Sequence, residues 1–210
     1  MNGILSMRHV LAALLLVVAG CSGSPPTEFY TLSGMQLPPG GPSAAKTVVG
    51  VGPVTLPDYL DRPQIVTRAS GNRVVLASFH SWVEPVDGMF TRVLVSNLSS
   101  LLATDNVVTV PQRRAMTLDY QVEVNVSRFD ADSEGRAVLD ARWWVFGKNG
   151  EQLIGEGRST IVEPVAEPTG ADAGSNGEPA SYEAIVAAMS TALAQMSSGI
   201  AGTIEQHRSG

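Results

Sequence analysis

Cysteine is almost missing from this chain: 210 residues hold a single one, Cys21. No intramolecular disulfide can form, and a zinc site built on Cys or Cys/His ligands is excluded from the body of the protein. Histidine is scarce too: only His80 and His207 follow the first 20 residues. Positive charge is in deficit, with 14 Lys and Arg against 20 Asp and Glu, a net charge of -6. That balance excludes the broad cationic face that nucleic acid requires. It also argues against adhesion of the whole chain to anionic lipid headgroups by charge. Beyond the N-terminus, no second unbroken apolar run is long enough to cross a bilayer.

What is present begins with the N-terminus. Met7-Arg8-His9 is followed by the apolar run Val10 to Val18, then by Ala19-Gly20-Cys21. The run is too short for a stable transmembrane helix and follows a cation, the pattern of a signal peptide. Small residues before a cysteine make a lipobox, so residues 1–20 are expected to be removed and Cys21 to be lipidated. Met7 could equally be the start. A plain signal peptide with a chance cysteine is the competing reading. Acylation at Cys21 would anchor the mature chain through buried methylenes, at about 0.8 kcal/mol each. No cofactor other than that covalent lipid is implied. Ser22, where an Asp would retain a Gram-negative lipoprotein at the inner membrane, permits the outer membrane. Residues 21–28 then form a short tether.

A hydrophobic content of 44% with 16% charge indicates a globular body. We read residues 29–207 as one domain. Strands are expected at 29–32, 47–54, 64–67, 73–78, 106–110, 120–127, 137–146 and 152–162. Gly52-Pro53 should bend or end the second. Tyr120, Val122, Val124 and Val126 alternate with Gln121, Glu123, Asn125 and Ser127, giving one buried and one wet face. Lys148-Asn149-Gly150-Glu151 is a hairpin turn. Apolar stripes at three- and four-residue spacing predict helices over Val86–Thr104 and from Tyr182 to His207, the latter capped by Ser181. Residues 163–180, acidic and rich in Pro, Gly and Ala, read as a mobile loop. The fold class is α+β: a mostly antiparallel or mixed sheet of six to seven strands, with both helices on one face.

Catalytic motifs are lacking. There is no H-E-x-x-H, G-x-S-x-G or S-x-x-K, and Gly50-Val51-Gly52 runs into a proline and cannot open a phosphate-binding helix. The chain is read as a non-enzyme, with a hydrolase using His80 as the remote alternative. Asp61-Arg62 is either a functional charge pair or the fastening of a turn between Pro57 and Pro63, and the turn is favoured. Trp82, with Glu84-Pro85, precedes the first helix; core packing is favoured over a ligand groove. Trp143-Trp144 puts adjacent indoles on opposite sheet faces, so Trp144 faces outward, a modest interface signal. Met189 and Met196 fit the core stripe of the last helix better than a lipid site.

Several segments together resemble the ABC-type transport auxiliary lipoprotein family, in its paraquat-inducible lipoprotein C branch. They are the lipobox at Cys21, Tyr30-Thr31-Leu32, Val51-Gly52-Pro53-Val54, Leu56-Pro57, Tyr59-Leu60-Asp61-Arg62-Pro63-Gln64-Ile65-Val66, Trp82 with Glu84-Pro85, Arg128-Phe129 and Trp143. The resemblance implies a periplasm-facing outer-membrane lipoprotein that docks on or caps a tunnel made by mammalian-cell-entry-domain proteins, while phospholipid or another apolar substrate crosses. Tyr59, Asp61, Arg62, Trp82, Glu84 and Trp144 are the candidate interface residues. A homo-oligomer would suit a symmetric tunnel. Ser81 departs from the pattern, since family members often carry a base there. The alternative function is a periplasm-facing lipid-binding shuttle or chaperone, which needs an apolar cavity beneath the helices.

Overall fold

The computed structural model describes residues 25–35, 47–111, 116–147, 150–166 and 181–209. The signal sequence, Cys21, Ser22, the turn residues Lys148 and Asn149, and residues 167–180 lie outside the described residues. Eight strands form one mixed sheet: β1 (Glu28–Tyr30), β2 (Val49–Thr55), β3 (Gln64–Ser70), β4 (Arg73–Trp82), β5 (Val107–Thr109), β6 (Tyr120–Ala131), β7 (Arg136–Gly147) and β8 (Gln152–Pro164). Two helices accompany it, α1 (Val86–Leu101) and α2 (Tyr182–Ser209). The class is α+β as expected. The strand count exceeds six to seven because β1 and β5, at three residues each, still pair with the sheet.

β6 organises the architecture. On one side it pairs antiparallel with β7 along its whole length, and β7 pairs with β8 in the same way. On the other side the sheet divides. β2 runs parallel to Tyr120–Asn125, and β3 touches β6 at Thr67 opposite Ala131. Between β2 and β3 the chain makes a 3-10 turn, Asp58–Leu60. The Pro57–Pro63 stretch therefore fills the fork in the sheet. β2 does not end at Gly52-Pro53: its register with β6 shifts between Val51 and Val54 and pairing resumes. Gly52 sits at φ 138°, and a Cβ there would lie 2.3 Å from the Val110 carbonyl oxygen, so only glycine fits.

β6 is longer than its alternation suggested, because a register shift between Val126 and Arg128 resets the inward face to Phe129 and Ala131. α1 stops at Leu101, short of the expected Thr104, where Ala103 turns to φ 48°. β8 runs two residues past Val162, and Val165 is buried, so the segment after β8 begins later than residue 163.

Both helices pack on the same face, over Val122, Val124, Leu139, Ala141, Trp143 and Val145. Ser181 caps α2 by accepting from the Ala184 amide at 3.2 Å. α2 has the length and apolar content of a membrane-crossing helix, but Ile185, Met189, Leu193, Met196, Ile200 and Ile204 are all 5% exposed or less. It is the core helix. Burying a stripe of this kind contributes about 1.5–3 kcal/mol per large side chain. Residues 31–35 cross over the helix pair: the Ser33 amide donates to Ser190 and the Met35 amide to Asn97. Asn97 in turn donates to Ser197, joining α1 to α2 through a buried polar pair.

Candidate functional site

The most concentrated polar chemistry lies at the fork, around Asp130. By register Asp130 is opposite Val138 on the outward face of the sheet, yet its side chain has no exposed surface. The fork turn covers it. The Tyr59 hydroxyl donates to one carboxylate oxygen at 2.9 Å, and Arg68 Nε donates to the same oxygen at 2.8 Å. Arg128 Nε donates to the other oxygen at 2.8 Å. Two guanidiniums, each with its outer part in water, enclose one buried charge. Burial, reinforced by the Asp130 charge, raises the Tyr59 pKa and keeps the phenol neutral. The Arg68 guanidinium also lies 5.4 Å from the Tyr59 ring centroid. The cluster fastens β3, the fork turn and β6 to one another.

The remaining interface candidates scatter. Asp61 is exposed and Arg62 half-buried, and no ion pair joins them; the buried Nε of Arg62 has no hydrogen-bond partner. Their backbone amides close the turn, Asp61 donating to Asp58 at 3.1 Å and Arg62 to Leu60 at 2.8 Å. Trp82 is 4% exposed, and its amide donates to the Pro63 carbonyl at 2.6 Å. That places it in the core beside the fork, as its favoured reading has it, and removes it from the candidate interface residues, since a buried indole offers no surface to a partner. Glu84 is exposed and takes a two-pronged bond from Arg92, at 2.6 and 2.9 Å, which holds its carboxyl below the usual range. Trp144 is half-buried on the outward face with Arg142 over its ring at 5.5 Å, and Glu123 and Glu156 on the flanking strands are its partners in register. Asp140 and Arg158 pair next to it at 2.7 Å. Asp61 and Glu84 thus reach the surface, and Tyr59, Arg62 and Trp144 do so in part.

His80 joins three elements through its ring. Its ring stacks on Tyr182 at 4.0 Å, and Nδ1 lies 2.9 Å from the Tyr30 hydroxyl and 3.4 Å from Glu28. It clamps β1 and β4 to the start of α2. The sequence reading missed Asp130, Arg68 and Arg128 as a unit; the one local hint was Arg128 two residues before Asp130 on the same strand.

A cleft of about 330 Å³ opens between the β3–β4 hairpin, the β6–β7 turn and the first turn of α2, lined by Thr67, Arg68, Val75, Ala131, Tyr182 and Ile185. It is marginal to the core. The space directly beneath α2 is filled by Met189, Leu193, Met196 and Ile200. Among the described residues, no group of three or more His, Cys, Asp or Glu could hold a metal ion.

The fold is a single mixed sheet with both helices on one face. The sequence model of the ABC-type transport auxiliary lipoprotein component family matches residues 30–201, and the chain belongs to that family. Among individual proteins, it is 31% identical over 138 residues to the intermembrane transport lipoprotein PqiC of Escherichia coli (strain K12). The match spans 63% of this chain and 70% of that one, and the PqiC of Shigella flexneri matches to the same extent. In structure it resembles an uncharacterized protein (TM-score 0.66, 23% identity, 86% of this chain and 99% of the other). It also resembles protein XCC0632 from Xanthomonas campestris (TM-score 0.65, 16% identity, 87% and 100%). These two likenesses concern the fold.

Proposed function

We propose that this protein is a non-enzymatic lipoprotein adaptor of an intermembrane transport system. In this reading Cys21 carries the acyl anchor, the chain sits on the periplasmic face of the outer membrane, and the folded body docks on or caps a tunnel of mammalian-cell-entry-domain protein. The cargo is phospholipid or another apolar molecule. The observation that carries the reading is the family match across residues 30–201, together with the lipobox before it. The physical build supports it. The polar clusters at Asp130 and His80 are consumed in fastening elements together, and a rigid sheet face is left uncovered by helices. A shuttle would need an acyl-sized space beneath α2, and packed side chains occupy that space.

The outward face around Trp144 is the docking surface we favour, since its aromatic–guanidinium pair lies among charges of both signs. A photo-crosslinking amino acid at Trp144 in living cells should capture the tunnel protein, whereas the same group at Thr191, exposed on α2, should not. Capture from Thr191 alone would refute the assignment of the face. Capture from neither would count against docking by the body of the domain.

A further inference from the structure

β1 and β4 run parallel, with Glu28 opposite His80 and Tyr30 opposite Trp82. The chain therefore enters β1 from the end of the sheet at which β4 begins, and β4 begins at the tip of the β3–β4 hairpin, Ser70 to Arg73. Cys21 precedes Glu28 by seven residues, and Arg73 precedes His80 by seven. Seven residues reach at most ~25 Å as free chain, and the strand from His80 back to Arg73 is ~23 Å long. Extended back along β4, the tether lets a lipid on Cys21 reach the hairpin tip.

That hairpin is unlike the rest of the surface. Val74, Val75 and Leu76 are consecutive and 42%, 42% and 41% exposed, so apolar side chains project from both of its faces. Among the described residues, no strand covers the outer edge of β4 from Arg73 to Phe79. Thr67 to Phe79 contains two bases, Arg68 and Arg73, and no acid, in a chain whose net charge is -6. Arg68 is taken up by Asp130, so Arg73 at the tip is the cation the hairpin offers to headgroups, in a chain whose overall charge speaks against their adhesion.

We infer that the β3–β4 hairpin tip is a second membrane contact. Val74, Val75 and Leu76 enter the interfacial region of the leaflet that holds the Cys21 lipid, and Arg73 faces the anionic headgroups. A single anchor on a flexible tether leaves orientation open, and a second contact at the hairpin fixes it. The α2 C-terminus and the start of β8, at the other end of the sheet, then point away from the membrane. The inference rests on the anchor reading of Cys21.

The test uses the full lipidated protein. With the Cys21 thiol consumed by lipid, Val74→Cys supplies the one free thiol for an environment-sensitive fluorophore. Leu153→Cys, 51% exposed at the far end of the sheet, is the control. Both proteins are reconstituted into vesicles of phosphatidylethanolamine and phosphatidylglycerol bearing a spin-labelled lipid quencher. The inference expects several-fold stronger quenching at position 74 than at 153, and a loss of most of it when Arg73→Glu is added. Equal quenching at both positions, or none at 74 in protein that floats with the vesicles, overturns the hairpin contact and leaves the anchor standing. So does a fluorophore at 74 that stays unquenched yet is shielded by a co-purifying protein. Failure of the protein to float overturns the anchor reading, and this inference with it.

Discussion

At Asp130 the two sides of a charge cluster are not equivalent. The carboxylate is wholly buried, while Arg68 and Arg128 keep part of each side chain in water. Removing the acid leaves two bases that can hydrate; removing both bases leaves a buried, uncompensated charge. Asp130→Asn should therefore cost ~1–3 kcal/mol, and Arg68→Met with Arg128→Met ~3–5 kcal/mol, read as shifts of the urea midpoint. The reverse order would show that the carboxylate is already half neutralised by other means. Asp140 supplies a pH-dependent counterpart. Its bonds from Arg158 hold its carboxyl below the usual range. Because the folded value is depressed, the stabilisation is present above the ordinary carboxylate value of about 4 and is lost as the pH falls below it through the lower folded value. The stability difference between the native protein and Arg158→Met should be measurable at pH 6 and vanish in acid. A difference that persists in acid would mean packing and not charge. Neither cluster could be read from the sequence, because Asp130 lies beyond the register shift after Val126 and only the fork turn brings Tyr59 over it.

At the scale of elements, apolar periodicity located β6, β7 and both helices, since each presents one apolar face to a common core, and β-branched or aromatic runs located strands such as β1 and β2. Leu139, Ala141, Trp143 and Val145 fall on the core face as their alternation requires, and the stripe of α2 is buried throughout. What periodicity could not show was where local breaks reset it: the shifts at Val51/Val54 and Val126/Arg128, and the turn at Ala103. β8 hides another constraint. A Cβ on Gly157 would lie 2.3 Å from the Trp143 ring, whose indole nitrogen donates to Ser159. Gly157→Ala must push the indole aside and should destabilise by ~1–3 kcal/mol. Near-ultraviolet circular dichroism would report the displaced tryptophan. An unchanged spectrum with unchanged stability would show that the indole has room to move.

At the scale of the whole molecule, anchor and body divide the work. The proposed anchor rests on local chemistry: a short apolar run, small residues and one thiol. The body's role was legible only through resemblance, as docking surfaces carry no motif comparable to a catalytic triad, and the candidate residues turned out to be spread between turn, core and outer face. The central claim is that the anchored body binds a tunnel component of a transport system. The most direct measurement is purification of the full-length lipoprotein from membranes in mild detergent, with proteins and lipids identified by mass spectrometry and Cys21→Ala processed in parallel. The account predicts recovery of a mammalian-cell-entry-domain protein with the native chain, and loss of the membrane-bound form with the variant. Recovery of the native chain without any such protein, whether alone or with bound lipid, would contradict it.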